Sequence, residues 1–222
     1  MLFSYSSVAI SLLLAPAAIQ AGPAVFLRQA TTAPFDCGQV RVDSPNTTYS
    51  GFLAADLDTE RRYVVTRTLT QKRLLTRFEN YTLFTLNSNG KNPTFGATFG
   101  FYWDTPPGKP NFAASAQNYA YFNSVAVSKL GAKPANIAAS INEAGTNPST
   151  GGKRDHESES AIFYLDTASG EITSQWVNTD GSFVHAFFVI NTQRRINISG
   201  NLTKYFQDWE GSPARIFCSK PT

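Results

Sequence analysis

Ser160 to Asn191, SAIFYLDTASGEITSQWVNTDGSFVHAFFVIN, is the stretch that decides the fold class. Three runs within it, Ser160 to Asp166, Glu171 to Val177 and Phe183 to Ile190, are rich in β-branched and aromatic residues, the side chains that sit best on a pleated surface. Thr167-Ala168-Ser169-Gly170 and Asn178-Thr179-Asp180-Gly181 separate the runs and supply residues that accept the positive φ of short hairpin connections. The stretch is therefore predicted to be a three-stranded β-meander. Asp166 and Asp180 fit the turns themselves, because an Asp side chain accepts backbone hydrogen bonds there.

Outward from this meander the same texture continues. Upstream, Gly38 to Asp43, Gly51 to Leu57, Tyr63 to Leu69, Arg73 to Phe78, Tyr81 to Leu86, Phe95 to Asp104 and Asn118 to Val127 read as short strands. Downstream, Ala214 to Cys218 reads as the closing strand and Lys204 to Glu210 as a helical turn, with Tyr205 and Trp209 at i, i+4 spacing. Many short strands with regular turn signals predict an all-β fold, an antiparallel β-sandwich or barrel. Residues 133–159, poor in aromatics, are expected to be a long polar loop with one short helix around Ala135 to Ala144. Cys37 and Cys218 are the only cysteines. In an oxidising compartment such a pair reads as one disulfide closing the domain near both ends, leaving no thiol for catalysis or metal binding.

Val8 to Leu14 is an apolar core followed by small residues ending at Ala21, the pattern of a secretory signal peptide spanning residues 1–21 and too short for a membrane span. Residues 22–36 then form a leader expected to be flexible, and residues 37–222 a single β domain. The expected location is extracellular, with no membrane attachment after processing. Asn46, Asn80, Asn197 and Asn201 each open an N-x-Ser/Thr sequon, the last two on an expected exposed loop. Lys153-Arg154 in the polar loop is a candidate processing site. Lys and Arg number 19 against 16 Asp and Glu, a net charge of +3, too mild to indicate a nucleic-acid partner. Arg61, Arg62, Arg67, Lys72, Arg73 and Arg77 do cluster, as a solvated strand face or an anion-binding patch.

Catalytic signatures are sparse. The sequence lacks a G-x-S-x-G elbow, and its two histidines and two cysteines match no zinc-ligand spacing, so neither metal nor cofactor is expected. His185 shares strand parity with Phe183 and Phe187 and is expected in or beside the core. A glycoside hydrolase would need two facing carboxylates, for which Asp104, Asp166, Glu171 and Asp180 are the candidates. Aromatics offer more. Tyr102, Tyr119 and Tyr121 could form an outward platform and Trp103 and Trp176 could line a groove, the side chains that grip sugar rings.

ESAIFYLDTASGEITSQWVNTDGS, Glu159 to Ser182, together with the Cys37-Gly38 start, resembles a group of uncharacterised small secreted proteins of basidiomycete fungi. The resemblance implies fungal secretion and a β fold, and it carries over no activity or catalytic residue. The resulting expectation is a secreted, glycosylated, non-catalytic module that binds an extracellular polysaccharide, a cell wall or a host-surface component. A glycoside hydrolase and a barrel carrying a small apolar ligand are the alternatives.

Overall fold

A computed structural model describes residues 33–68, 70–101, 110–113, 117–142 and 156–219. The expected signal peptide, Tyr102, Trp103, Asp104, Lys153 and Arg154 lie outside the described residues. In chain order the elements are β1 (Phe35–Asp43), β2 (Gly51–Leu53), β3 (Val65–Thr66), β4 (Leu75–Glu79), β5 (Thr82–Thr85), β6 (Thr94–Phe101) and β7 (Tyr119–Val125). They continue as β8 (Ser158–Glu159), β9 (Phe163–Leu165), β10 (Glu171–Val177), β11 (Phe183–Asn191), β12 (Ile196–Ser199), helix α1 (Leu202–Asp208), β13 (Gly211–Pro213) and β14 (Arg215–Ser219). β1 starts at Phe35, within the stretch expected to be leader.

Pairing runs β11-β12-β7-β6-β5-β4-β1-β14-β10 and returns from β10 to β11, so nine antiparallel strands close into a barrel with additional strands around it. Closure removes the free edges that an open sheet would present. The disulfide is Cys37–Cys218, bridging a sequence separation of 181 with its Cα atoms 4.6 Å apart. It lies between β1 and β14, which pair along Val40↔Cys218 and Val42↔Ile216. Cross-linking so long a loop contributes roughly 5 kcal/mol in the chain-entropy picture.

The meander forms as its turns dictate. Gly170 and Gly181 adopt φ of 74° and 89°, and Asp166 and Asp180 accept hydrogen bonds from Ala168 N (3.1 Å) and Ser182 N (2.8 Å). Its first strand is shorter than expected. Ser160 donates its amide to Ser128 Oγ (2.9 Å) and accepts Ser128 N on its own Oγ (2.7 Å), which draws residue 160 out of the ladder. The chain therefore splits into β8, paired with β6, and β9, paired with β10. The short helix expected near 135–144 is absent from its described part, residues 135–142. Ala135 and Ala139 instead bridge to Ser158 and Val125, and Ser140 Oγ accepts from Ser124 N. The expected exposed loop at 197–199 is also corrected: these residues belong to β12 and are buried.

Aromatic side chains fill the barrel. Phe95 stacks on Phe122 at 4.4 Å, Phe163 lies 5.7 Å from Phe95, and Tyr63 packs against Phe95 from another side. Phe99, Phe112 and Trp176 form a second aromatic group in the same core. Fully burying each such ring contributes on the order of 2–3 kcal/mol.

Candidate functional site

Strand parity sorts β10 and β11 into two faces. Ile172, Ser174 and Trp176 of β10 and Ala186, Phe188 and Ile190 of β11 are buried. Thr173 and Gln175 of β10 alternate with them, as do Phe183, His185 and Phe187 of β11. Tyr164, on β9, stands opposite Thr173. The outer surface of β9, β10 and β11 thus carries a row of uncharged side chains, bordered at the start of β10 by Glu171, which shares their parity and pairs with Arg215.

That row is partly knit together. Tyr164 donates its hydroxyl to Gln175 Oε1 at 2.7 Å, and Gln175 is the cross-strand partner of His185. Tyr81, at the β4–β5 turn, meets Tyr164 edge to face at 5.2 Å, and His185 meets Phe187 the same way at 4.6 Å. Partial burial raises the Tyr164 hydroxyl and lowers the His185 imidazole from their ordinary values, so both favour their neutral forms. Phe183 is 55% exposed, and Thr173 and His185 are also open to solvent. A core-side location for His185 is thereby corrected: its strand turns it outward.

The aromatics singled out from sequence have other roles. Trp176 is completely buried, donates Nε1–H to the Pro110 carbonyl at 2.6 Å and packs on Phe99 and Phe112. It lines no groove. Tyr119 and Tyr121 do share a face, and their hydroxyls are 2.9 Å apart. Their rings meet edge to face at 80°, but helix α1 covers them. Tyr205 and Trp209 pack edge-on against Tyr119 at 5.7 and 5.3 Å, while the Arg62 guanidinium lies 3.5 Å over the Tyr121 ring. This pair is consequently no platform. Parity could have pointed to Tyr164, Gln175 and Phe187, because each alternates with residues that read as core.

Other candidates resolve into structural roles. Glu171 makes a two-pronged pair with Arg215 at 2.8 and 2.7 Å, and Asp166 and Asp180 hold their turns. These three do not assemble into a facing catalytic pair. The basic cluster disperses: Arg62 stacks on Tyr121, Arg73 on Phe52 and Arg77 pairs with Glu79. Among the sequons, Asn46 and Asn80 are exposed, Asn80 sitting with Tyr81 at positive φ in a two-residue hairpin turn. Asn201 caps α1 by accepting Lys204 N. Asn197 is 2% exposed and donates Nδ2–H to Tyr205 at 2.9 Å, which leaves no room for a glycan on that nitrogen in the folded chain.

Glu159 was missed by sequence reading. It is 1% exposed, its Oε2 accepts Val177 N at 3.2 Å, and Oε1 has no hydrogen-bond partner. Burial pushes its carboxyl up to about 9, so it is protonated at neutral pH. Among the described residues no group of three or more His, Cys, Asp or Glu is placed to hold a metal ion. No family model, curated protein or solved structure matches the chain.

Proposed function

We propose that this protein is a secreted, non-catalytic module that binds a neutral polysaccharide on the outer face of β9, β10 and β11. The observation that carries the reading is the row Tyr81, Tyr164, Gln175, His185 and Phe187, aromatic and hydrogen-bonding yet without a charged side chain. Sugar rings present apolar C–H faces and hydroxyl edges. Aromatic faces cover the former, while amide, phenol and imidazole groups engage the latter. Neither edge-to-face pair can lay both rings flat on the sheet. Each therefore offers one stacking surface and one flanking edge, a geometry suited to single sugar units along a chain.

Affinity electrophoresis and calorimetry on neutral β-glucan, mannan and chitin fragments test the reading. Retention on at least one polymer is expected. Tyr164→Ala and Phe187→Ala should each weaken it about tenfold, since a stacked ring is worth roughly 1–1.5 kcal/mol. Absence of retention on every neutral polymer, or retention indifferent to both substitutions, rejects it.

A further inference from the structure

The turn from β11 to β12 holds two adjacent arginines in unlike surroundings. Arg195 Nε donates to Asp58 Oδ2 at 2.6 Å, so its charge is met by a carboxylate. Arg194 adopts φ of 62°, a conformation unfavourable for a side-chain-bearing residue. The surrounding bonds hold it there: its amide donates to Asn191 O (2.9 Å), and its carbonyl accepts Val65 N (2.8 Å). Its guanidinium donates to three backbone carbonyls, from Nε to Val65 O at 2.7 Å and from the Nη atoms to Ser50 O at 3.4 Å and to Thr48 O. Carbonyls orient a cation without neutralising it. Of the five N–H donors of a guanidinium, two remain.

Arg194 borders an open groove of about 430 Å³ lined by residues 64–68, Gln71 and Gln193, with no carboxylate among them. Arg67 stands in the same lining, exposed and with no ion pair to the described residues. Burial, and then the charge of Arg67, hold the Arg194 guanidinium below its ordinary value. Two cations thus border one groove with no carboxylate among its described lining residues. Gln193 adds a neutral donor: its Oε1 accepts from Arg195, leaving the amide NH2 for another partner. Val64 and Val65 contribute an apolar wall.

We propose that this groove binds a tetrahedral oxyanion ester on a sugar chain, a sulfate or a phosphate, held between Arg67 and Arg194 with Gln193 as a further donor. The arrangement suits an oxyanion because planar guanidinium forks engage its oxygens in pairs. It is independent of the neutral-glycan face, from which it differs in residues and in charge.

The test is calorimetric titration of the intact protein with sulfated, phosphorylated and uronic-acid oligosaccharides of matched length. Saturable binding of the sulfated or the phosphorylated chain is expected, and which of the two is tighter identifies the source of the oxyanion. Affinity should fall roughly tenfold when salt rises from 50 to 200 mM, as two cationic contacts predict. Arg67→Gln should weaken binding at least tenfold with an unchanged unfolding midpoint, and Arg67→Lys should recover part of the loss. Lys129→Gln removes the same charge from an exposed residue outside the groove and should leave binding intact. Equal weakening by Lys129→Gln, uronate binding as tight as the ester, or no saturable binding to either ester overturns the proposal. Because Arg194 also holds backbone, the conclusion rests on Arg67, whose exposed side chain makes no hydrogen bond or ion pair to the described residues.

Discussion

The outer surface of the barrel divides into two halves that begin with similar side chains and meet opposite fates. Across β7 and β12, Tyr119, Tyr121 and Asn197 point outward and are covered by α1 through Tyr205 and Trp209. Across β9, β10 and β11, Tyr164, Gln175, His185, Phe183 and Phe187 point outward and stay accessible to different degrees. Both halves are aromatic and polar. The difference is one short helix, started by the Asn201 cap and set down on Val189 and Tyr119. Aromatic outward residues therefore mark packing where a later element returns to cover them, and stay open to solvent where none does.

The largest way to break this comparison is to strip the cover. Tyr205→Ala removes a ring that is 2% exposed and strands the Asn197 amide that bonds its hydroxyl. Loss of the ring with a cavity left behind should cost about 3–5 kcal/mol. Tyr205→Phe, which keeps the ring, should cost about 1–2 kcal/mol. Urea unfolding midpoints separate the two outcomes, and equal losses would mean that the hydrogen bond alone, not the cover, secures this half.

A smaller effect is expected where the barrel wall supports the open half. Glu159 Oε2 holds Val177 N, and Val177 is the cross-strand partner of Phe183. The folded carboxyl is raised by burial to about 9 from an ordinary 4.5. The folded state therefore binds the proton more tightly than the unfolded chain. That stabilisation is fully present below about pH 4.5 and is lost as pH rises towards 9. Glu159→Gln retains an acceptor for Val177 N but cannot ionise. Relative to the parent, the variant should gain on the order of 3 kcal/mol between pH 5 and pH 7. Parallel stability profiles across that range would show that Glu159 is not held neutral.

How far these features were legible follows from the range of the interactions that make them. The meander was readable because its turns are local: Gly170 and Gly181 supply positive φ within the hairpins they close. The meeting of first and last strands was readable from Cys37 and Cys218. Closure into a barrel was not, since it depends on whether β10 pairs with β11 or with another strand as well. The Ser128–Ser160 bonds that cut the first strand short join residues 32 apart in sequence. Tyr119 and Tyr121 were correctly placed on one face, but their cover arrives more than 80 residues later. Trp176 was misread because an aromatic at a strand position satisfies inward and outward roles equally. Its parity with Ile172 and Ser174, both buried, favoured the interior. Glu159 left no local signal, as its burial depends on β8 pairing with β6.

The smallest effect belongs to the open half itself. Phe183 is 55% exposed and occupies the first position of β11. Phe183→Thr keeps a residue suited to a strand and removes a ring with little contact to lose, so stability should change by no more than about 0.5 kcal/mol. The contrast with Tyr205→Ala is the useful quantity, because one substitution removes a ring that covers the outer surface and the other a ring that the surface leaves open. A loss above about 1 kcal/mol at Phe183, or one that grows with protein concentration, would mean that the ring is buried in solution against a second copy. The open half would then be an interface, and the neutral-glycan reading would have to give way to assembly.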